Sequence, residues 1–310
     1  MKLSVVTTLY KSEATVAEFV RRAGAAAAHI SEDYEIVIVD DGSPDRALAI
    51  AVGLAASDPR LKIVELSRNF GHHKALMTGL SHASGDYCFL IDSDLEEAPE
   101  LLGDFWAKLH SEEKDVVFGF QAQRAGGMVR RLAGAAAYQI FDWLLSVRIP
   151  TNHLTVRLMR RAYVDSLLLH RETQLVIGGL WVITGYRQLG VPVAKKVKGA
   201  TTYPFLRSWQ TFLDSVTDFS AAPLVAIFYL GMLISGASAL FALSLMLRWA
   251  FGSVGVAGWV SVMVSVWFLG GLVILFMGVI GLYLSKIFLE TKQRPLTIVR
   301  TVHGRSEPRP

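Results

Sequence analysis

The residues most able to do chemistry in this chain are acidic, and they stand at the ends of short apolar runs. Tyr87–Ile91 is apolar, aromatic and β-branched, and it leads straight into Asp92-Ser93-Asp94. A run of that composition reads as a buried strand. Alternation along it puts Asp92 and Asp94 on one side and Ser93 on the other. Two carboxylates held close repel each other unless a cation lies between them. A hard divalent ion such as Mg²⁺ or Mn²⁺ suits carboxylate ligands and also draws oxygens from a phosphate. Glu96, two residues on, is a candidate third ligand. The competing reading of the triplet is a capped turn, since Asp side chains accept hydrogen bonds from nearby backbone N–H groups.

A second acidic pair has the same setting. Ile36–Val39 is β-branched and ends in Asp40-Asp41, followed by Gly42-Ser43. Ligands of open α/β sheets bind outside the carboxyl ends of the strands, so two acidic strand ends in one sheet point to one shared ligand. Gly42 allows close backbone approach there.

The elements that must position these groups can be read in order. Strands are expected at Leu3–Thr8, Tyr34–Asp40, Leu61–Leu66, Tyr87–Ile91 and Asp115–Phe120, with helices at Ala14–Ala28, Ala47–Ala56 and His72–Ala83. Pro99 suits the first turn of a helix after the acidic turn. Gly71 permits a tight turn into the helix at His72, whose N-terminus, with Arg68 and Lys74 nearby, suits a pyrophosphate. His72 and His73 are a poor metal signal, being adjacent and lacking a matching cysteine or third histidine.

Hydrophobic residues make up 52% of the 310, and the mean hydropathy of +0.38 is high for a wholly soluble protein. The excess lies near the C-terminus. No charged residue occurs from Phe219 to Leu247 or from Trp249 to Ser285. As helices, Leu224–Leu247 and Ser261–Leu284 would each extend about 36 Å, enough to cross a hydrocarbon core of about 30 Å. Residues 1–123 carry 11 Lys/Arg against 20 Asp/Glu, residues 124–223 carry 13 against 5, and residues 224–310 carry 7 against 2. The basic part adjoins the apolar part, as expected of a surface facing anionic lipid. By the positive-inside rule both termini are cytoplasmic. Leu132–Val147 and Trp209–Phe219 each show an apolar helical face with aromatics, the pattern of helices lying in a membrane interface. No nucleic-acid recognition motif accompanies the basic charge. The single cysteine, Cys88, excludes an intramolecular disulfide and sits mid-strand as a core residue. The start, MKLSVVTTLY, lacks a signal peptide's apolar core and enters a strand pattern at once.

VDDGSPD, SRNFGHH and DSDLEEAPE, in this order and spacing, resemble the family 2 glycosyltransferases with a GT-A fold. Within them the similarity is to the dolichol-phosphate-mannose-synthase-like enzymes, which load sugars onto polyprenyl phosphates. The resemblance runs from Lys2 to about Leu284. It implies an α/β GT-A nucleotide-sugar-binding core with a mostly parallel sheet over residues 1–123. An acceptor-binding, membrane-interface part would follow over 124–222, two transmembrane helices over 223–288 and a basic cytoplasmic tail over 289–310. It implies that the loop holding Thr8, Tyr10 and Glu13 receives the nucleotide base and ribose, with Asp40 and Asp41 facing the nucleotide. It further implies that Arg124, Arg130, Arg131 and Lys198 meet the lipid phosphate. Three positions depart from the family pattern: Thr8 stands where a proline is usual, Thr155 where a GDFRLM-like motif carries Asp, and Thr202 where a lysine precedes Tyr203.

The leading expectation is therefore an inverting transferase that moves a sugar from a nucleotide-sugar to a polyprenyl phosphate at a lipid bilayer. Asp92 and Asp94 would serve catalysis through a Mg²⁺ or Mn²⁺ ion. The acceptor phosphate is already an anion and needs no strong base. The alternative is transfer to a hydroxyl of a lipid-linked or polymeric saccharide, which wants a general base; Glu172 is the candidate. A third reading is a membrane scaffold with a degenerate transferase domain. Nothing in the sequence decides between a single copy and a homo-oligomer, or identifies the sugar.

Overall fold

The computed structural model describes residues 1–121, 153–172, 177–194, 222–250 and 258–304. Arg124, Arg130, Arg131, Lys198, Thr202 and both expected interfacial helices lie outside the described residues.

The first half of the chain alternates strand and helix. β1 (Leu3–Leu9), β2 (Tyr34–Asp40) and β3 (Leu61–Leu66) are separated by α1 (Val16–Ala28) and α2 (Ala47–Ser57). α3 (His72–His82), β4 (Tyr87–Leu90), α4 (Leu101–Ser111) and β5 (Val116–Phe120) follow. Next come β6 (His153–Arg160), α5 (Arg161–Leu167), α6 (Ile177–Ile183) and β7 (Gln188–Pro192). Two long helices, α7 (Ala222–Ala250) and α8 (Trp259–Thr291), precede β8 (Val299–Gly304).

The strands form one sheet in the order β7-β5-β6-β4-β1-β2-β3-β8. β4, β1, β2 and β3 are parallel neighbours, so their carboxyl ends, and the loops that follow them, lie along one edge. β1 and β2 are buried along their whole length because helices cover both faces. Alternation sorts their side chains into two cores. Val5, Phe19, Ile36, Ile38, Phe89 and Phe105 pack on one face, and Val6, Val37, Val39, Leu76, Leu80 and Tyr163 on the other.

The sheet is mostly parallel, as expected, with β5 also parallel to β7, and it becomes mixed where β6 and β8 join it. β6 runs antiparallel to β4 and β5, and β8 antiparallel to β3. Residues 289–310 are therefore not simply a tail. Residues 294–304 belong to the same compact unit as residues 1–121, while α7 and α8 lie in a second unit. Ser67 N donates to Ile298 O at 2.9 Å, and Thr78 and Thr297 join hydroxyls at 2.7 Å. Glu65 holds β8 through Arg300 at 3.1 Å and His303 at 3.2 Å. Arginines interrupt the short β-branched run of the segment, so it reads from sequence as basic before it reads as a strand.

Of the two expected membrane spans, one is found by length and composition among the described residues. Phe268–Thr291 has a mean hydropathy of 2.3. Its Phe268, Ile274, Leu275 and Met277 are each exposed, an apolar surface unsuited to water. In α7, the described apolar stretch is the shorter Leu224–Ile234.

At the opposite end of the sheet from the acidic loops, Glu35 is a buried carboxylate that ties three segments together. It accepts hydrogen bonds from Ser4 Oγ at 2.7 Å, Ser84 N at 2.6 Å and Ser84 Oγ at 2.8 Å, and pairs with Lys2 and Lys62 at 3.7 and 3.6 Å. Burial pushes its pKa up, but the hydrogen bonds from Ser4 and Ser84 and the Lys62 charge outweigh it and hold the carboxyl below its ordinary value. Such a group adds stability that is present above the ordinary carboxyl value of 4.5 and lost as the pH falls through the lower folded value. Glu35→Ala is expected to cost about 3 kcal/mol, because it orphans buried donors. Thermal unfolding in detergent should show the lowered midpoint, and the deficit should shrink toward acid pH.

Candidate active site

Four loops gather at the carboxyl ends of β1 to β4, and each is tied to its neighbours by backbone-to-side-chain hydrogen bonds. After β1, the chain turns at Lys11, which has φ +57°. Lys11 N donates to Ser43 Oγ at 2.8 Å, Glu13 N to Asp45 Oδ2 at 2.9 Å, and Arg46 N back to Glu13 Oε2 at 3.2 Å. The loops after β1 and β2 are thus one interlocked unit. Glu13, expected at the ribose, serves here as part of that lock. Tyr10 stands 49% exposed beside it, its ring 5.6 Å from Lys11 Nζ, open to a planar ligand.

Asp40 and Asp41 are both buried but play different parts. Asp41 spends both carboxylate oxygens on the loop after β3, accepting from Phe70 N at 2.7 Å and Gly71 N at 3.0 Å, while Asn69 Nδ2 donates to Asp41 O at 3.0 Å. It is the clamp of the SRNFGHH turn rather than a group turned to a nucleotide. Gly42 belongs to the same clamp. It has φ +64°, and a Cβ there would lie 2.6 Å from Asn69 N, so the close approach is to the protein's own backbone. Asp40 accepts from Ser43 N at 3.3 Å. Its pKa is raised to about 6, first by burial and then by the charges of Glu65 and Asp41, against hydrogen bonds from Ser43 and Gly42. Asp40 is thus a buried strand-end carboxyl held by the loop after β2.

The acidic turn after β4 is anchored by its middle residue. Ser93 is buried and donates to Thr8 O at 2.7 Å, with Ser12 Oγ at 3.2 Å. Asp92 and Asp94 flank it, half-buried. Leu95, at φ +61°, closes a tight turn in which Glu96 N donates to Asp94 Oδ1 at 2.9 Å. Glu96 thus joins through its backbone. Among the described residues no three His, Cys, Asp or Glu side chains converge as a metal cage, so the expected set of Asp92, Asp94 and Glu96 is not assembled.

His72, set aside from sequence, is brought to this turn by the fold. Its Nδ1 lies 3.1 Å from Thr8 Oγ1 and its Nε2 3.4 Å from Asp92 Oδ1. Burial lowers its pKa, against the charges of Asp41 and Asp94, which favours the neutral ring. Its partner Thr8 stands 64 residues away in sequence, so no local pattern signals the contact. Arg68 is exposed, stacked 4.3 Å over the Phe70 ring and donating to Asn69 O at 3.3 Å. Lys74 lies in the first turn of α3, beside the helix N-terminus.

The departing segment at Thr155 lies on β6. Its neighbour Arg157 pairs with Leu90 across the ladder, so Thr155 lies two residues further, toward the end where β4 gives way to Asp92. Arg157 is buried, its guanidinium 3.0 Å from the Trp181 ring centroid, and burial lowers its pKa to about 9. Gly178 makes room for His153, whose Nε2 would be 2.5 Å from a Cβ at that position. The TNHLTVRLM and GGLW segments therefore pack together. Glu172, the candidate base, is half-exposed, with its carboxylate 3.8 Å from His170 Nδ1.

The family model for glycosyl transferase family 2 matches residues 4–167. The chain belongs to that family and carries its transferase domain. A Mycobacterium tuberculosis protein, named only at the level of glycosyltransferase, is 53% identical over 304 residues, 98% of this chain and 89% of the relative. The prophage bactoprenol glucosyl transferase homolog of Escherichia coli K12 is 30% identical over 305 residues, 97% of this chain and 99% of the relative. Among solved structures, the mannosyltransferase PcManGT of Pyrobaculum calidifontis, in complex with GDP-Man and Mn²⁺, covers 93% of this chain and 84% of its own, with 18% identity and a TM-score of 0.48.

Proposed function

We propose that the chain transfers a sugar from a nucleotide-sugar to a polyprenyl phosphate at the cytoplasmic face of a membrane, with inversion. The observation that carries this reading is the near full-length similarity to a bactoprenol glucosyl transferase homolog, apolar C-terminal part included. The acidic turn at one sheet edge supports it. On this reading Tyr10, Thr8 and Asp40 receive the nucleoside, and Arg68, Lys74 and the N-terminus of α3 attract the diphosphate. Asp92 and Asp94 offer hard oxygens from one turn, which fits Mg²⁺ or Mn²⁺, ions that take one or two carboxylates and complete their shell with phosphate and water. Such an ion, when bound, neutralises charge on the leaving diphosphate. Arg124, Arg130, Arg131 and Lys198 orient the acceptor, whose phosphate oxygen forms the new bond to the anomeric carbon as the bond to the diphosphate breaks. Positioning and electrostatics supply the rate.

Incubating membranes that contain the chain with undecaprenyl phosphate and a panel of labelled nucleotide-sugars is the direct test. One donor is expected to label a phosphate-linked lipid. No labelled lipid with any donor, alongside labelling of a saccharide, would reject the reading. We also expect α7 and α8 both to span the membrane. A reporter fused after Pro310 should read cytoplasmic and one inserted at Gly255 external; the same side for both would refute a hairpin.

A further inference from the structure

We infer that His72 is a positioning residue for the acidic turn, holding the Asp92 carboxylate toward a bound divalent cation while Thr8 locks the imidazole. The inference rests on the reading of Asp92 and Asp94 as the cation ligands. It is carried by a three-residue chain from three separate segments. Thr8 is next to last in β1, His72 opens α3 and Asp92 follows β4. α3 packs across β1 and β2, which brings its first residue over the end of β1.

The two contacts determine what the ring does. Nδ1 meets Thr8 Oγ1 at 3.1 Å and Nε2 meets Asp92 Oδ1 at 3.4 Å. A neutral imidazole has one donor nitrogen and one acceptor nitrogen. With the proton on Nδ1, the Nε2 lone pair would face a carboxylate, which is repulsive. With the proton on Nε2, the ring accepts the Thr8 hydroxyl proton and sets its N–H beside the buried Asp92 Oδ1, so the second contact is an electrostatic one at 3.4 Å rather than a made hydrogen bond. A protonated ring likewise turns a positively charged N–H toward Asp92 through Nε2. In either of these states Nε2 carries its proton toward Asp92 while Nδ1 meets Thr8, and on this inference the ring works beside the carboxylate and not as a metal ligand. It acts on the cation through Asp92. Ser93, hooked onto Thr8 O from the same turn, fixes the backbone of that carboxylate, and His72 fixes its side chain. Hydrogen-bonding partners of metal ligands, when removed, typically cost on the order of 10- to 100-fold in metal affinity.

The test is a titration of the purified full chain in detergent with Mn²⁺, alone and with UDP or GDP, reading free Mn²⁺ by its electron paramagnetic resonance. His72→Ala is expected to weaken Mn²⁺ binding on the order of 10-fold. His72→Gln, whose amide N–H can replace the Nε2 donor, should stay within about threefold of the unchanged chain. Thr8→Val should weaken binding about threefold alone and add nothing in the His72→Ala background, since it acts through the ring. Unfolding midpoints should stay within about 2 °C. Mn²⁺ affinity indifferent to His72→Ala, or Thr8 and His72 effects that simply multiply, would overturn the inference. Should His72→Ala fail to fold, Thr8→Val decides: an unchanged affinity overturns it. No Mn²⁺ binding by the unchanged chain in any arm removes the cation reading and this inference with it, whereas binding indifferent to His72 removes the inference alone.

Discussion

Asp92→Asn or Asp94→Asn is expected to abolish sugar transfer while leaving the fold intact. The two halves of that expectation have separate reasons. An asparagine keeps the shape of aspartate and keeps an acceptor oxygen, so Glu96 N can still be capped at position 94 and His72 Nε2 still met at position 92. Ser93, which carries the turn's link to Thr8 O, is untouched. What is lost is charge. A neutral amide is a much poorer ligand for Mg²⁺ or Mn²⁺ than a carboxylate. Charge stabilisation by a bound metal is worth several kcal/mol, so a rate loss on the order of a thousandfold or more is expected. Transfer of label to lipid measures the rate, and thermal unfolding the fold. Full activity of both variants in EDTA would reject the metal reading.

The second large effect concerns the acceptor. If the acceptor is a lipid phosphate, as proposed, it must approach a site that already holds a donor diphosphate, which calls for cationic side chains where it enters. Arg124, Arg130 and Arg131 stand together in sequence just before an apolar segment. Loss of a charge-assisted guanidinium–phosphate contact costs on the order of 1.5–3 kcal/mol. Arg124→Ala or Arg131→Ala should therefore raise the apparent KM for polyprenyl phosphate, or lower kcat, by roughly 10- to 150-fold. Donor binding should change little, and free polyprenol should not be a substrate. If these arginines only attract anionic lipid, each is worth about 1 kcal/mol and high salt removes the effect. Unchanged kinetics, or a neutral saccharide as the better acceptor, would favour the hydroxyl-acceptor reading, with Glu172→Gln then expected to lose transfer.

Local pattern carried far in the first part of the chain. β-branched runs ending in Asp40-Asp41 and Asp92-Ser93-Asp94 identify both the strands and the edge where the loops gather, because burial on both faces demands continuous apolar runs and leaves polar residues for the ends. The uncharged run within α8 is equally legible, since a hydrophobic segment of that length is a property of composition. The family itself follows from three short motifs. What pattern could not assign was the partner of each polar group. Asp40 and Asp41 are adjacent and alike in sequence, yet one lies at the strand end beside Ser43 and the other clamps Phe70 and Gly71. His72 looks idle beside His73 until α3 brings it between Thr8 and Asp92. Residues 299–304 look like a basic tail until β3 offers an unpaired edge. Apolar periodicity is written along the chain, one residue after another. A hydrogen bond is directional and spans a few ångströms, so which donor meets which carboxylate depended on the packing of α3 and the order of the strands, and only the tertiary structure decided it.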